Sequence, residues 1–320
     1  MNPEMKAPSV WLITDNKPGH KNQLKGLGNR LRVLSGASIH WINSEDYPTP
    51  LWRALLKVAP AMAPSLPPPA LIIAAGSGTH RLLLALRRYR KARTVVLMKP
   101  AFPLFWVDAA IIPAHDKAKP SRSTLITEGV VNAITPMARL TSKPEALVLT
   151  GGPSPHFNWD DDAVFSQISD LIARYPEWRW TISDSRRTPA AFSARLDELH
   201  SPRVTVIHHK NTHDSWLNHQ LAASRAVWVT PDSVSMVCEA ATSGVPTGLL
   251  DLPPQSGSRV ANGVNRLAKL GIIAHWSAHS SIMNEQLERH TQLWEADRAA
   301  RWLISKFLKS SGSAKKESSH

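Results

Sequence analysis

A chain of 320 residues with 42% hydrophobic and 20% charged residues has a globular composition, and its length suits about two domains of ~150 residues. These values exclude a single small module and a wholly disordered chain. The net charge of +13 is uneven, because residues 1–143 hold 20 basic and 7 acidic side chains and residues 144–320 hold 18 of each. This excess predicts an anionic partner for the first part, such as a lipid head group, a phosphorylated glycan or nucleic acid.

The single cysteine, Cys238, excludes an internal disulfide, and the first residues lack the apolar run of a signal peptide. Arg53, Lys57 and a series of prolines interrupt the most hydrophobic region, so no segment reaches the ~18 apolar residues of a membrane span. We therefore expect a cytoplasmic protein, with peripheral binding at the inner face of the cytoplasmic membrane left open.

Short β-branched and apolar runs alternate with longer helical patterns along the chain. The first series of runs is Val10–Thr14, Ile39–Ile42, Leu71–Ala75, Thr94–Met98 and Ala109–Pro113. The second series is Ala146–Thr150, Trp180–Ser183, Val204–His208, Val227–Thr230 and Thr247–Leu250. This alternation predicts an α/β protein of two Rossmann-like domains with parallel sheets.

Helix breakers and weak periodicity predict a domain boundary near residue 143. We expect an N-terminal domain over 1–143, a C-terminal domain over 144–310 and a polar, disordered tail over 311–320. Aromatic and basic residues between Trp294 and Phe307 predict one closing helix before the tail.

The loops that follow the strands are the candidate sites, because open α/β sheets bind ligands at the carboxyl ends of their strands. The first loop leads from Asp15 to His20 and into a helix whose free N–H groups can meet an anion. An imidazole there suits general-base chemistry. A helix cap by Asp15 with a surface His20 explains the same spacing equally well.

Gly76 and Gly78 follow the third strand and allow close approach of the backbone, although they do not complete a dinucleotide fingerprint. The basic segment 81–91 after them predicts an amphipathic helix. Such a helix lies on an anionic membrane surface or, as we favour for its leucines, packs on the sheet with its arginines in water.

Two loops in the second series carry phosphate-binding chemistry. Gly151 and Gly152 let the main chain approach a phosphate, or simply form a tight turn. Ser185, Arg186 and Arg187 suit bidentate binding of a diphosphate, with an ordinary surface loop as the alternative.

The segment from Thr230 to Pro246 is the most informative, since a strand leads through hydroxyl-bearing residues into a helix that Gly244 ends. Its pattern suits a nucleotide, with the phosphates at the helix N-terminus and the ribose hydroxyls on the Glu239 carboxylate. A capped helix with a solvated glutamate is the alternative.

His208, His209 and His213 are too loosely arranged for a zinc site and lack a clustered cysteine or acidic ligand. The acidic triplet 160–162 opens a helix and is more simply an N-cap than a metal motif. The tryptophans show no aromatic and basic pattern for single strands, so we expect no nucleic-acid partner.

Four motifs occur along the chain in a specific order and spacing. They are Ile-Thr-Asp-Asn-Lys-Pro-Gly-His from Ile13, the segments 111–116 and 183–189, and Thr-Pro-Asp-Ser-Val-Ser-Met from Thr230. Over about residues 10–270 they resemble the mitochondrial-fission ELM family and its bacterial relatives. The resemblance implies a GT-B glycosyltransferase-like fold, in which two Rossmann-like domains face each other across a cleft. Bacterial members are regarded as glycosyltransferases, and plant members are linked to mitochondrial fission.

The Ser-x-x-x-Glu-x-x-x-x-Gly-x-Pro pattern is also similar to the donor-binding region of the peptidoglycan lipid II N-acetylglucosaminyltransferase. That similarity implies that Glu239 meets the ribose and that Gly19 and His20 lie by the acceptor. The chain departs from that enzyme in having Asp-Asn-Lys-Pro, not a glycine-rich loop, before Gly-His.

We therefore expect metal-independent transfer of a sugar from a nucleotide-sugar donor to an anionic cell-envelope glycan or lipid-linked acceptor, plausibly lipopolysaccharide core, without a cofactor. A non-catalytic adaptor with a protein partner and a nucleotide-sugar epimerase are the alternatives. The expected catalytic residues are His20, Asp15, His115 and Asp116. The expected donor-binding residues are Gly151, Gly152, Ser185, Arg186, Arg187, Thr230, Asp232, Ser233, Ser235, Met236 and Glu239. The expected acceptor-binding residues are Lys17, Gly19, Gln23, Gly76 and Gly78.

Overall fold

The computed structural model describes residues 7–284 and 292–308, so the predicted tail over 311–320 lies outside the described residues. The chain divides into two compact units. The first unit contains the described residues up to Ala133 and those from Glu295 onward, and the second unit is Ile134–Trp294.

The first unit contains a six-stranded parallel sheet in the order β2-β1-β3-β4-β5-β6. Its strands are β1 (Ser9–Thr14), β2 (Ser38–Asn43), β3 (Leu71–Ala75), β4 (Arg93–Leu97), β5 (Ala109–Pro113) and β6 (Thr124–Thr127). Its first three helices are α1 (Pro18–Ser35), α2 (Leu51–Leu56) and α3 (His80–Ala85). Every residue of β1, β3 and β5 is buried, as expected for parallel strands with both faces covered.

The second unit contains a five-stranded parallel sheet in the order β11-β10-β7-β8-β9. Its strands are β7 (Glu145–Leu149), β8 (Arg179–Ser183), β9 (Val204–Ile207), β10 (Ala226–Val229) and β11 (Thr247–Leu249). Its helices are α4 (Asp161–Arg174), α5 (Ala190–Leu196), α6 (Trp216–Ala223), α7 (Val234–Ser243), α8 (Arg259–Lys269) and α9 (His279–Met283). Trp180, Trp228 and Phe192 are among its fully buried side chains.

These elements confirm the predicted fold class, since all ten predicted strands form within a residue or two of the expected bounds. The predicted N-cap also forms, because the Asp160 carboxylate accepts a hydrogen bond from the Ala163 N–H at 3.0 Å. Strand β6 was not predicted. It is short, and its two central side chains are only half-buried, so its hydrophobic signal is weak.

Helix α10 (Glu295–Leu303) belongs to the first unit, although the sequence placed it in the C-terminal domain. Its Asp297 pairs with Arg30 of α1 at 2.5 Å, and Glu295 accepts a hydrogen bond from the Glu128 N–H at 2.9 Å. Its amphipathic pattern identifies a helix but not the surface on which that helix packs.

The predicted amphipathic helix over 81–91 is wrong in length, because α3 ends at Ala85 and turns follow. The favoured packing of its leucines is confirmed, since Leu82, Leu83, Leu84 and Leu86 are buried. Within 7–284 and 292–308, none of the helices combines the length and the apolar character needed to cross a bilayer.

Candidate functional site

Each sheet reverses its strand order once, and the candidate residues gather at these two reversals. In the first unit β2 and β3 lie on opposite sides of β1, and in the second unit β10 and β8 lie on opposite sides of β7. The loops at such a reversal diverge and leave a crevice at the carboxyl ends of the strands, where α/β proteins bind ligands.

Asp15 and His20 form a close pair at the end of β1. The His20 Nδ1 lies 2.9 Å from one carboxylate oxygen of Asp15 and 3.0 Å from the other. The Asp15 side chain is 7% exposed and that of His20 is 23% exposed. A carboxylate on Nδ1 fixes the ring orientation and the tautomer, which leaves Nε2 as the acceptor nitrogen of the ring. The sequence predicted both residues, and their pairing follows from the short turn into α1.

Gly76 packs directly against this pair. Its φ is +91°, and a Cβ built on it would lie 2.2 Å from His20 Nδ1 and 2.5 Å from Asp15 Oδ2. A Cβ on Gly78 would lie 3.0 Å from the Asp15 Cβ. Since β1 and β3 are neighbours, their ends bring these loops together. The glycines therefore make room for the carboxylate–imidazole pair, whereas their predicted acceptor contacts remain a prediction.

His80, at the start of α3, is a site residue that the prediction missed. Burial lowers its pKa, the nearby Asp15 charge acts in the opposite direction, and His20 lowers it further. Its ring stands edge-on to Phe102 with centroids 5.0 Å apart. A second imidazole therefore lies within range of the charges of the pair, and burial disfavours its protonated form. The Gly-Ser-Gly-Thr-His run was visible in the sequence, but nothing local indicated that its histidine faces another loop.

The other predicted residues of the first unit are distributed differently. Lys17 and Gly19 are exposed, and the space around Gly19 is open. Gln23 is buried, and its amide nitrogen contacts the Met98 sulfur at 3.3 Å.

His115 and Asp116 lie near one another at the end of β5, with Nε2 and Oδ1 4.0 Å apart. Both side chains are largely buried. In the sheet, β3 and β4 lie between β5 and β1, and the catalytic role predicted for His115 and Asp116 remains a prediction.

In the second unit, the loops after β7 and β10 are joined by hydrogen bonds. The Gly151 N–H donates to the Thr230 hydroxyl at 2.7 Å, and the Gly152 N–H donates to an Asp232 carboxylate oxygen at 3.2 Å. A Cβ on Gly151 would lie 2.2 Å from that same carboxylate oxygen. Glycine is required here because the backbone passes against a buried carboxylate.

The two adjacent arginines have different neighbours. The Arg187 guanidinium pairs with Asp232 Oδ2 at 2.5 Å, and the Asp232 side chain is 1% exposed. Arg186 instead lines a cavity of about 530 Å³ at the ends of β8 and β9. Ser185 Oγ donates to the Gly151 carbonyl at 3.1 Å and so ties this loop to the glycines.

Asp232 also has an oxygen, Oδ1, that is buried and lacks a hydrogen-bond partner among the described residues. The Asp232 carboxylate thus lies where Arg187 and the Gly152 N–H both donate, and one of its oxygens is still unsatisfied. Leaving a buried carboxylate oxygen without a donor costs stability.

A hydrogen-bonded cluster around Asp184 lines the same cavity as Arg186. Asp184 accepts from the rings of His208 and His209, each at 2.9 Å, and from the hydroxyl of Ser193. Burial opposes its ionisation, but these bonds and that from the His209 N–H lower the pKa of Asp184 to about 2. Hydrogen bonding to Asp184 in turn raises the pKa of His208, whose Nε2 also lies 3.0 Å from Asp197. The sequence pointed to these histidines only as a poor zinc motif.

Helix α7 carries the remaining predicted residues. Ser233 is its N-cap residue, and Ser235, Met236 and Glu239 lie in its first two turns, all of them half-buried. Ser235 and Glu239 are four residues apart and share one face. Burial raises the pKa of Glu239 to about 7. Its carboxyl group therefore gains its charge near neutral pH.

Glu239→Gln is expected to stabilise the protein at pH 8 by roughly 1 to 3 kcal/mol, because ionised Glu239 disfavours the folded state. The folded protein holds this proton up to about pH 7, whereas the unfolded chain releases it near 4.5. The free energy of unfolding of the native protein therefore falls as the pH rises between these values, and the glutamine variant escapes that fall. Denaturant unfolding from pH 5 to 8 measures the difference.

Glu198→Gln is the matched control, since Glu198 is an exposed glutamate of the same unit. This variant removes the same charge from a side chain that is not buried. A gain for Glu239→Gln that is equal at pH 5 and pH 8 would contradict the assignment.

No group of three or more histidine, cysteine, aspartate or glutamate side chains with metal-binding geometry occurs within residues 7–284 and 292–308. The acidic side chains Asp184 and Asp232 at the strand ends of the second unit are held instead by histidine and arginine partners.

Two Rossmann-like units, each with polar residues at the reversal point of a parallel sheet, define a protein of the GT-B fold class. Solved structures agree. MurG of Acinetobacter baumannii has a TM-score of 0.53 at 14% identity, over 93% of this chain and 99% of that one. The UDP-GlcNAc 2-epimerase of Neisseria meningitidis, bound to UDP-GlcNAc, has a TM-score of 0.56 at 12% identity, over 95% of this chain and 100% of that one. At these identities the likeness concerns the fold.

The family model described as Mitochondrial fission ELM1 matches residues 18–307, and the chain belongs to this family. The resemblance read from the sequence is thereby confirmed. An uncharacterized protein of Rickettsia prowazekii (strain Madrid E), RP120, is 25% identical in an alignment 305 residues long that covers 78% of this chain and 85% of that protein.

Proposed function

We propose that this protein is a glycosyltransferase that uses a nucleotide-sugar donor and requires neither a metal nor a cofactor. The observation that carries the proposal is the Asp15–His20 pair, with Nδ1 held by both carboxylate oxygens and glycine backbone packed against it. A fold kept only as a protein adaptor has no need of an oriented carboxylate–imidazole pair.

In the proposed reaction His20 Nε2 removes the proton from an acceptor hydroxyl as that oxygen attacks the anomeric carbon of the donor sugar. The new bond joins the acceptor oxygen to the sugar, and the bond from the sugar to the nucleoside diphosphate breaks. The bond electrons leave with the diphosphate, and the proton stays on His20, where the Asp15 carboxylate stabilises the imidazolium.

The second unit supplies the donor side of the proposal. The start of α7 offers N–H groups to the diphosphate, and Arg186 offers cationic charge to the leaving group. Gly151 and Gly152 let the backbone come close to the diphosphate, while their N–H groups and Arg187 hold the Thr230–Asp232 loop in place. Glu239 is assigned to the ribose hydroxyls, with Ser233, Ser235 and Met236 around the nucleotide. The UDP-GlcNAc bound to the structurally similar epimerase supports a sugar nucleotide as the ligand class.

The charge of the first part of the chain supports an anionic acceptor, since residues 1–143 hold 20 basic and 7 acidic side chains. A phosphorylated or carboxylated cell-envelope glycan, or a lipid-linked glycan at the inner face of the cytoplasmic membrane, has this chemistry. Lys17 and Gly19, which are exposed, are the proposed acceptor contacts near His20, whereas the side chain of Gln23 is buried against Met98.

A thermal-shift panel of UDP, GDP, CMP, ADP and TDP with their sugar conjugates tests the donor site. One nucleotide is expected to raise the melting temperature with concentration, by the equivalent of roughly 2.7 kcal/mol at about 100 times its Kd. Glu239→Ala is expected to lose this shift, and Glu198→Ala, at an exposed position, to retain it.

The outcomes separate the candidate functions. No shift with any nucleotide, in a folded protein, contradicts the transferase and favours the adaptor. A shift followed by conversion of the donor alone, without an acceptor, identifies an epimerase instead. Transfer from the same donor to a glycan or lipid-linked acceptor supports the proposal.

A further inference from the structure

The first unit exposes one concentrated apolar surface. Nine large hydrophobic side chains are exposed among the described residues, and six of them lie on or next to α2 or on the loop after β4. We call these six the α2 patch: Leu51, Trp52, Leu55, Leu56, Val58 and Phe105. Phe105 is 84% exposed and Leu56 is 69% exposed. Large apolar side chains grouped in this way mark an interaction surface, whereas scattered ones do not.

The two parts of the patch adjoin one another in space. Leu55 and Phe105 line the same open cavity of about 450 Å³, together with Trp106. The Arg87 side chain connects them, since its guanidinium lies 5.1 Å from the centre of the Trp106 ring and donates to the Ala54 carbonyl of α2 at 2.9 Å. The exposed side chains of α2 and Phe105 therefore adjoin through Leu55 and Arg87.

Cationic side chains surround the patch. Lys57, Arg87 and Arg88 line the cavity, and Arg53 lies over the Trp52 ring at 5.3 Å. The charge of Arg88, followed by burial and the charge of Arg87, lowers the pKa of Lys57, as expected where cations crowd together. Asp108 also lines the cavity, but it pairs with Arg93 at 3.0 Å.

We propose that the α2 patch is the surface by which this protein docks on an anionic lipid bilayer. Leucine, tryptophan and phenylalanine side chains that protrude beside lysine and arginine match the interfacial zone, where apolar groups enter the acyl boundary and cations meet lipid phosphates. A partner protein would match the apolar part equally well, but the surrounding cations favour a uniformly anionic plane. The inference rests on the proposed function in one respect, namely that docking would bring the first unit to a lipid-linked acceptor.

Co-sedimentation with vesicles tests the proposal. The full chain is expected to bind vesicles of phosphatidylcholine with phosphatidylglycerol and to bind phosphatidylcholine alone much more weakly. Because exposed charges are screened by salt, about 0.5 M salt is expected to weaken the binding. Equal binding to both vesicle types, or none to either, overturns the proposal.

Variants locate the surface. Leu56→Ser with Phe105→Ser is expected to lower vesicle partitioning by at least tenfold. Lys57→Glu with Arg88→Glu is expected to lower it by more than about fivefold for each substitution, because each one reverses a charge. Val33→Ser is the matched apolar control, because Val33 is also 69% exposed but lies on α1. Lys269→Glu, on an exposed lysine of the second unit, controls for charge. Vesicle binding that survives both double variants, or falls equally in the controls, rejects the α2 patch.

The nucleotide thermal shift separates this test from that of the proposed function. The patch variants are expected to keep the melting temperature and the nucleotide shift of the native protein while losing vesicle binding. Vesicle binding without a nucleotide shift would reject the transferase and leave the docking surface standing. A nucleotide shift without vesicle binding would reject the docking surface and leave the proposed transferase standing.

Discussion

His20→Ala is expected to lower sugar transfer by about 10² to 10⁴-fold, because the acceptor hydroxyl loses the base that removes its proton. The nucleotide thermal shift should remain, since the assigned donor residues belong to the second unit and His20 belongs to the first. Initial rates of transfer, measured beside nucleotide binding, give both quantities.

Asp15→Asn tests the pair with almost no change in volume. An amide cannot stabilise the imidazolium that forms, so the transfer rate should fall by a large part of the His20→Ala effect, and the double variant should add little. His213→Ala removes an exposed histidine of the second unit and controls for the loss of an imidazole. Full turnover of the His20→Ala protein would remove the base assignment.

Gly151→Ala is expected to destabilise the protein by about 2 to 3 kcal/mol and to abolish the nucleotide shift. The added methyl group would lie 2.2 and 2.4 Å from the two carboxylate oxygens of Asp232. That carboxylate is held by Arg187 and by the Gly152 N–H, so it cannot move aside without breaking the contact between the β7 and β10 loops. Denaturant unfolding and the nucleotide panel measure the two effects.

Gly19→Ala is the matched stability control. Gly19 lies in the first turn of α1, and nothing lies within 4 Å of a Cβ built on it. Alanine there should raise stability by about 0.5 to 1 kcal/mol, as it does in helices generally. Equal stability losses in the two variants would show that the contact between the added methyl group and Asp232 does not cause the loss of stability at Gly151.

The sequence alone determined the layered α/β class and every described strand except β6, because a fully buried parallel strand is a short apolar run that ends in polar or glycine residues. It also identified the Asp15–His20 loop and the Thr230–Glu239 segment, since both are local motifs at the end of a strand. Features of this kind lie within a few residues and need no knowledge of distant parts of the chain.

Only the tertiary structure decided which loops meet. Gly76 and His80 lie near the Asp15–His20 pair because β3 pairs with β1. Asp232 meets Arg187 because β10 and β8 lie on either side of β7. The same holds for α10, which packs on α1 although more than 260 residues separate Arg30 from Asp297. These contacts depend on strand order and on crossover connections. A local hydrophobic pattern records that an element has a buried face, but not which element covers it.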